Sequence, residues 1–225
     1  MDNEFVRRES IINTAEEDIT LGISVEGQTE AYFAKYVLGR YLAKHNIKLG
    51  EPIILGGNVT LARVTGTLAL LADEYDYATS LYDFYGFQGK EENDTLETLL
   101  KKLYADSNIC YKNNIYIYLQ KYEYEALLFS NLDVMCNYFY DSESEKNLCK
   151  KKFVDNLKGK KPEDVNDSIQ TAPSKRIKKI YKRYQKIMHG YIIAQEIGIE
   201  RIRAECPLFN SWVEHLLGLS KPVNK

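Results

Sequence analysis

The sequence predicts an α/β fold, a layered domain with a mainly parallel sheet flanked by helices. Short apolar runs recur through the first half of the 225-residue chain, and each is followed by a segment with helical spacing of apolar residues. Strands that alternate with helices of about ten residues or more pair in parallel through right-handed crossovers. Several of these runs also end at an acidic residue, which places carboxylates at one edge of the predicted sheet.

The first predicted strand is followed by an acidic turn. Apolar residues occupy alternate positions from Ile19 to Val25, which is the period of a strand packed on one face. The strand stops at Glu26, Gly27 permits a tight turn, and Thr29 can cap a helix. The apolar face of that helix consists of Phe33, Val37, Leu38, Tyr41 and Leu42. Glu26 is therefore either a crevice residue at a strand end or a solvated turn residue.

Two further strand and helix units follow, and then a fourth strand. Residues 52–55 form an apolar run closed by glycines, and residues 77–82 are rich in β-forming residues and end at Asp83. Thr95 can cap the third helix, and residues 115–120 form the fourth strand. The second and third helices are marked by their leucine-rich faces: Leu61, Val64, Leu68 and Leu71, then Leu96, Leu99, Leu100 and Leu103.

A third acidic cluster, Glu123 and Glu125, follows the fourth strand. If the segment is extended, both side chains share a side, whereas in a helix they diverge and only one can face the crevice. Either residue could instead simply favour a helix N-terminus through the helix dipole. Carboxylates at three strand ends suit Mg²⁺ or Mn²⁺, because these cations prefer oxygen ligands.

Three short motifs resemble those of an uncharacterised bacterial family of TOPRIM-like proteins. EGQTE at residues 26–30, DFYG at 83–86 and EYEALLF at 123–129 are similar to its EGxTE, DYYG-type and HEFEALLF motifs. The resemblance runs from about Ile19 to Leu217. In two places the sequence departs from the pattern. Tyr122 stands where the family has histidine, and Phe84-Tyr85 replaces the second aspartate of the DxD pair that many TOPRIM enzymes carry.

The resemblance implies a metal-dependent nuclease, with a C-terminal helical part behind the sheet. Its catalytic residues would be Glu26, Asp83 and Glu123, and Mg²⁺ or Mn²⁺ would be held by Glu26, Asp83 and either Glu123 or Glu125. Nucleases of this kind often act beside ATPases in phage defence, so an ABC-type or AAA-type ATPase is the expected protein partner. The missing aspartate leaves an alternative, a catalytically reduced interaction subunit of an ATPase complex.

The charge distribution predicts where nucleic acid would bind. Residues 1–112 contain 11 Lys and Arg against 18 Asp and Glu, whereas residues 113–225 contain 19 against 14. A helix starting at Pro173-Ser174 and stopping at Gly190 would carry a basic stripe able to contact phosphates or simply to face solvent. The candidate nucleic-acid-binding residues are Lys175, Arg176, Lys179, Lys182, Arg183 and Lys186. Tyrosines around the fourth strand could stack on bases, but packing is their commoner role.

We expect a mobile N-terminal arm at residues 1–17, a TOPRIM-like domain at 18–137 and a basic helical part at 138–225 packed on it. The polar N-terminus and the short apolar runs predict a cytoplasmic protein without a signal peptide or membrane span, which could form homo-oligomers. No phosphate-binding loop motif occurs, so this sequence does not itself resemble an ATPase. The four cysteines lie far apart in sequence and are expected to be reduced.

Overall fold

The computed structural model describes residues 18–165 and 171–222, so the predicted arm at residues 1–17 lies outside the described residues. The fold is α/β, as predicted, and its six-stranded sheet is parallel in every strand pair described. The strands are β1 (Ile19–Val25), β2 (Ile47–Leu49), β3 (Ile53–Ile54), β4 (Tyr77–Asp83), β5 (Ile115–Tyr116) and β6 (Leu119–Gln120). Their order is β2-β1-β4-β5, with β3 also pairing β1 and β6 also pairing β4.

Helices flank the sheet in the first half and dominate the second. The first half contains α1 (Gln28–Phe33), continued by a π-helical turn and by α2 (Gly39–Leu42), then α3 (Leu61–Glu74) and α4 (Leu96–Tyr104). The second half opens with a 3₁₀ helix (Tyr124–Ser130), followed by α5 (Leu132–Phe139), α6 (Glu143–Leu157), α7 (Pro173–Ile180), α8 (Lys186–Ile197), α9 (Ile199–Glu205) and α10 (Pro207–Leu217). No described helix is long and apolar enough to cross a membrane.

The central pair of strands positions the acidic residues. β1 and β4 run in register over five residue pairs, from Leu21 opposite Tyr77 to Val25 opposite Leu81. Because the strands are parallel, both end at the same edge of the sheet. Glu26 follows the end of β1, and Asp83 is the last residue of β4.

The start of α1 differs from the prediction. Gly27, and not Thr29, is the N-cap residue. The side chain of Glu30 reaches back and accepts a hydrogen bond from the Gly27 amide at 3.0 Å. This contact satisfies an amide at the helix start, so Thr29 is left within the helix, where it is buried.

The predicted fourth strand is divided into β5 and β6. Between them, the Ser80 hydroxyl accepts a hydrogen bond from the Tyr118 amide and donates one to the Tyr118 carbonyl, both at 3.0 Å. A side chain thus replaces the backbone partner at this point, and the strand is interrupted at Ile117 and Tyr118. The short strand β2 was not predicted.

The predicted basic helix is also wrong as a single element. α7 ends at Ile180 and α8 begins at Lys186. In the connection, Tyr181 stacks on Phe139 with ring centroids 4.2 Å apart, and the Tyr184 side chain is buried. Burial of these aromatic rings turns the chain and separates Lys186 from the lysines of α7.

Gly190 does not end a helix but lies within α8, where the helix approaches its neighbours closely. A Cβ atom at this position would lie 3.2 Å from the Tyr124 ring and 3.3 Å from the Thr29 methyl group. The glycine therefore allows α8 to pack closely against α1, the helix that follows Glu26, and against the 3₁₀ helix. The close packing brings the beginning of α8 to the acidic edge of the sheet.

One core cluster contains residues of both halves of the chain. Phe33 of α1 packs against Phe209 of α10, and the Trp212 indole donates a hydrogen bond to Thr79 in β4 at 2.9 Å. The same indole stacks on Tyr118 at a centroid distance of 4.4 Å. The helical part thus covers one face of the sheet, and the domain boundary near residue 138 stays a prediction.

Candidate functional site

Glu26 and Asp83 lie in direct contact at the carboxyl edge of the sheet. The Asp83 amide donates a hydrogen bond to Glu26 Oε2 at 3.3 Å, and the Glu26 amide donates to the Leu81 carbonyl at the same distance. Asp83 is only 8% exposed, and its Oδ1 has no hydrogen-bond partner among the described residues. A buried acceptor without a partner loses its hydration without compensation, so a structural role does not explain this oxygen.

Gly86 leaves the space that the Glu26 carboxylate fills. A Cβ atom at position 86 would lie 2.2 Å from Glu26 Oε2 and 2.5 Å from Oε1. No side chain fits at such distances without displacing the carboxylate. The last residue of the DFYG motif therefore determines the position of the carboxylate in the EGQTE motif.

Glu123 and Glu125 converge on the ammonium group of Lys186. Lys186 Nζ lies 3.6 Å from Glu123 Oε1 and 3.2 Å from Glu125 Oε2. Glu123 is in extended conformation and caps the 3₁₀ helix, whereas Glu125 lies in its first turn. The sequence left open whether both carboxylates could share a site; a change of backbone conformation between them lets both reach the same cation.

Backbone and side-chain donors fix the two carboxylates further. The Ser174 amide at the start of α7 donates to Glu123 Oε2 at 2.9 Å. The Tyr184 hydroxyl donates to Glu125 Oε1 at 3.4 Å, and Glu125 is only 1% exposed. Both donors belong to the second half of the chain, so the helical part contributes directly to the site.

Glu30 joins this group, although it was not among the predicted site residues. It is buried, and its carboxylate bonds the Gly27 amide beside Glu26. Its pKa is raised, first by burial and also by the charge of Glu26. The sequence signal was available, because an acid three residues after a helix N-cap is typical of a capping box.

Burial and mutual repulsion make these acids easier to protonate. Burial raises the pKa of Asp83 well above its usual range, and the negative charges of Glu30, Glu26 and Glu125 raise it further. Burial is also the main cause that raises the pKa of Glu26, and it raises the pKa of Glu125 to about 7. Burial alone would lower the pKa of Lys186, but Glu125, Glu123 and Asp83 outweigh it and raise that pKa. The cluster therefore holds excess negative charge that Lys186 balances in part.

A cleft of about 590 Å³ opens over Glu26 and Asp83. Its walls combine the turn after β1, the glycine turn after β3 and the first turn of α8: Glu26, Gly27, Gln28, Thr29, Glu30, Gly56, Gly57, Asp83, Gln185, Lys186, Ile187 and Met188. The carboxylate donors and the unpartnered Asp83 oxygen fit a hard divalent cation in their chemistry. Among the described residues, however, no three His, Cys, Asp or Glu side chains are grouped so that they could hold a metal ion as they stand.

The predicted nucleic-acid-binding residues differ in exposure and in contacts. Lys175 and Lys179 are exposed on α7, Lys182 and Arg183 are exposed on the connection to α8, and Lys186 contacts the acidic cluster. Arg176 is only 6% exposed and donates hydrogen bonds to the carbonyls of Thr171 and Asn156. The contact of its guanidinium with the backbone indicates a structural role, so we remove Arg176 from the candidate phosphate-binding residues.

In a comparison with known protein families, residues 25–217 match a family that is described as "Domain of unknown function (DUF4276)". The chain belongs to the DUF4276 family. The matched residues include Glu26, Asp83, Glu123, Glu125 and Lys186, so the whole cluster lies within the DUF4276 domain. A comparison with curated proteins finds no match.

Two solved structures are similar to the DUF4276 chain. The C-terminal region of the Burkholderia pseudomallei OLD protein is 14% identical, with 89% of this chain and 99% of that chain covered and a TM-score of 0.46. The C-terminal region of the Xanthomonas campestris pv. campestris OLD protein is 17% identical. The match covers 88% of this chain and 93% of that chain, with a TM-score of 0.39. These values describe a general similarity of fold and carry no information on activity.

Proposed function

We propose that this DUF4276 protein is a divalent-metal-dependent nuclease of the TOPRIM type. The observation that carries the proposal is the buried Asp83 carboxylate, which lies in contact with Glu26 at the end of two parallel strands. One of its oxygens has no hydrogen-bond partner among residues 18–165 and 171–222. An acceptor that is buried and unsatisfied at the floor of a cleft is available to a cation. The motif resemblance to TOPRIM-like proteins supports the same chemistry.

Glu26, Asp83, Glu123 and Glu125 would hold Mg²⁺ or Mn²⁺, which when bound activates water and neutralises charge on the scissile phosphate. Glu26, Asp83 and Glu123 are the proposed catalytic residues. Glu123 and Glu125 are close enough to Glu26 to raise its pKa, so the two carboxylate pairs share one electrostatic environment. Binding of a cation would require them to give up part of their contact with Lys186.

Lys186 would then be free to act on the substrate. Its side chain is 45% exposed at the cleft, so the ammonium can reach a bound phosphate without rearrangement of α8. A cation of this kind stabilises the negative charge that develops during phosphodiester cleavage. Lys186 therefore belongs with the site itself and not with a separate basic stripe.

The alternative function is a catalytically reduced subunit that binds an ATPase partner. It is favoured by Tyr85, which occupies the position of the second aspartate of a DxD pair, and by the lack of a ready three-ligand group among the described residues. In both functions we place the protein in the cytoplasm, in antiphage defence, beside an ABC-type or AAA-type ATPase.

Calorimetric titration with Mn²⁺ and Mg²⁺ separates the two functions. We expect wild type to bind Mn²⁺ and Glu26→Gln to lose this binding, because the substitution removes a charged ligand while keeping the shape. Glu97→Gln is the matched control, since Glu97 is an exposed acid on α4 that pairs with Lys101 across one helical turn. Cleavage of DNA and RNA is measured in parallel. Wild type that binds neither metal at millimolar concentration would rule out the nuclease and leave the interaction subunit.

A further inference from the structure

Three aromatic residues form a row of neighbouring rings directly after β4 and β6. Phe84 and Tyr85 follow Asp83 in the chain, and Tyr122 precedes Glu123. The ring centroids of Phe84 and Tyr85 are 6.3 Å apart, and those of Tyr85 and Tyr122 are 5.3 Å apart. We call these three residues the aromatic row. They come from two different strand ends, so the fold brings the row together at the same edge as the carboxylates.

An ammonium group lies at each end of the row. Lys90 Nζ is 5.6 Å from the centroid of Phe84, and Lys121 Nζ is 5.5 Å from that of Tyr122. Lys90 is held by the carbonyl of Phe87 at 3.0 Å, and Lys121 by Asp164 at 2.6 Å. Both cations are therefore fixed on aromatic faces, at a distance where cation and ring attract each other.

Packing does not account for two of the rings. Tyr85 is 38% exposed and Tyr122 is half-buried, and neither belongs to the core clusters formed by the described residues. Phe84, in contrast, packs partly against a core cluster and anchors the row. A tyrosine ring that is held in position but left accessible is suited to binding another flat ring.

The row lies within reach of the proposed cleavage site. Gly86 is so close to Glu26 that an added Cβ atom would lie 2.2 Å from its carboxylate. Tyr85 is the preceding residue, and consecutive Cα atoms are about 3.8 Å apart. The backbone of Tyr85 therefore lies next to the residue that contacts the Glu26 carboxylate.

We propose that the aromatic row stacks on unpaired nucleobases, and that the ligand of this site is single-stranded nucleic acid. The identity of the ligand as nucleic acid rests on the proposed function. Stacking on aromatic side chains accepts every base, because every base has a flat face. In a duplex those faces are covered by neighbouring base pairs, so only a single strand can present them. The flanking ammonium groups match the phosphates on either side of a stacked base.

The test is fluorescence anisotropy with a labelled 12-nucleotide thymidine strand, in the presence of EDTA so that no cleavage occurs. We expect Tyr85→Ala and Tyr122→Ala each to raise the Kd by about 5- to 100-fold, the effect typical of one lost stacking contact. Tyr85→Phe should bind as wild type, because the ring remains. Circular dichroism establishes that each variant is folded.

Tyr111→Ala is the matched control. Tyr111 is 70% exposed and also carries a lysine over its ring, with Lys112 Nζ 5.6 Å from the centroid. It precedes β5 and therefore lies at the amino edge of the sheet, opposite the cleft. Its substitution should leave the Kd unchanged, which separates a stacking site from a general affinity for exposed tyrosine.

Two further ligands complete the experiment. An abasic strand of the same length should bind wild type at least as weakly as the thymidine strand binds Tyr85→Ala, because it loses every stacking contact, and a blunt duplex should be insensitive to Tyr85→Ala. A matched RNA strand shows which nucleic acid is preferred. The proposal is overturned if wild type does not bind the thymidine strand at low salt, if both alanine variants bind it as wild type does, or if the abasic strand binds equally well. Because no metal is present, these outcomes are independent of whether Glu26 supports cleavage.

Discussion

Asp83 and Glu163 show how two buried carboxylates can serve different purposes. Glu163 accepts hydrogen bonds from the Leu208 and Phe209 amides, both at 2.9 Å, and so completes the start of α10. Asp83 is buried to a similar degree, but one of its oxygens has no partner in the described part of the chain, and the acids around it outnumber the one cation, Lys186. The contacts of Glu163 stabilise the fold, whereas the surroundings of Asp83 favour the binding of a cation.

The two carboxylates should therefore respond oppositely to loss of charge. We expect Asp83→Asn and Glu26→Gln to melt at the wild-type temperature or above it without metal, since repulsion between the acids is relieved. Both should lose the rise in melting temperature that added Mn²⁺ causes in wild type. Glu163→Gln should be destabilised by about 1–3 kcal/mol, because one amide loses its acceptor. Asp83→Asn that melts well below wild type would assign Asp83 a structural role.

Gly86 should not tolerate even one added methyl group. In Gly86→Ala the new Cβ atom would overlap the Glu26 carboxylate, so we expect this variant to lose metal binding and cleavage while remaining folded. Gly57→Ala is the control, since Gly57 lines the same cleft but no atom lies within 4 Å of its added Cβ. Calorimetric titration of both variants with Mn²⁺ measures the difference. Equal affinities would show that Glu26 can move aside without loss of binding.

The raised pKa of Glu125 should make the stability of the metal-free protein depend on pH. Its pKa is about 7 in the folded protein and 4.5 in the reference state, so between these values the folded state binds more protons than the unfolded state. Glu125 therefore makes its full contribution to the free energy of unfolding below pH 4.5, and this contribution is lost as the pH rises through about 7. Urea unfolding of Glu125→Gln in EDTA should therefore show a smaller fall in stability over this interval. If the free energy of unfolding of Glu125→Gln falls with pH as steeply as that of wild type, Glu125 ionises normally in the folded protein.

At the scale of elements, the sequence predicted what depends on local patterns. β1, β4, α3 and the Thr95 cap of α4 follow from alternation, helical spacing and capping chemistry, and the structure contains all of them. The break between α7 and α8 was not predictable, because it depends on Tyr181 and Tyr184 packing against Phe139 from a distant helix. The same holds for the interruption between β5 and β6, which depends on the Ser80 side chain of β4.

This break had consequences for the predicted site as well. The positions of Glu26 and Asp83 followed from the parallel topology alone. The location of Lys186 beside Glu123 and Glu125 did not, since in a continuous helix it would have lain in line with Lys175, Lys179 and Lys182. The local sequence pattern therefore does not distinguish Lys186 from the other lysines; only the tertiary contacts do.

The exposed basic residues of α7 and of the connection to α8 should contribute to nucleic-acid binding through phosphate contacts alone. We expect the triple variant Lys179→Ala, Lys182→Ala, Arg183→Ala to bind nucleic acid more weakly and to reduce the slope of log Kd against log salt by about 2 to 3. Arg176→Ala should instead lower the melting temperature, since its guanidinium is bonded to backbone carbonyls. If the triple variant keeps the wild-type salt slope, these residues face solvent and do not contact phosphates.

At the scale of the whole molecule, the two halves of the chain share both the core and the site. Phe209 and Trp212 pack into the cluster that contains Phe33 and Tyr118, and Lys186 balances the charges of Glu123 and Glu125. The first half alone would expose the apolar face now covered by α8 and α10. Each half therefore depends on the other.

A fragment of residues 18–137 should not fold cooperatively. Without the helical part it loses the aromatic contacts of Phe209 and Trp212 and the hydrogen bond from Trp212 to Thr79. We expect a broad thermal transition by circular dichroism and poorly dispersed amide signals by NMR, against a single sharp transition for the full chain. A cooperative transition of the fragment would show that the α/β part is an independent domain.

The contact between Gly86 and Glu26 also bears on how DUF4276 sequences can diverge. As long as position 26 carries a glutamate held in this place, position 86 is restricted to glycine, because any larger residue would occupy the volume of the carboxylate. Once a lineage loses the acid, that restriction disappears and side chains can accumulate at position 86. Joint substitution at these two positions would thus identify the family members that have abandoned the site, and a retained glycine would accompany those that still use it.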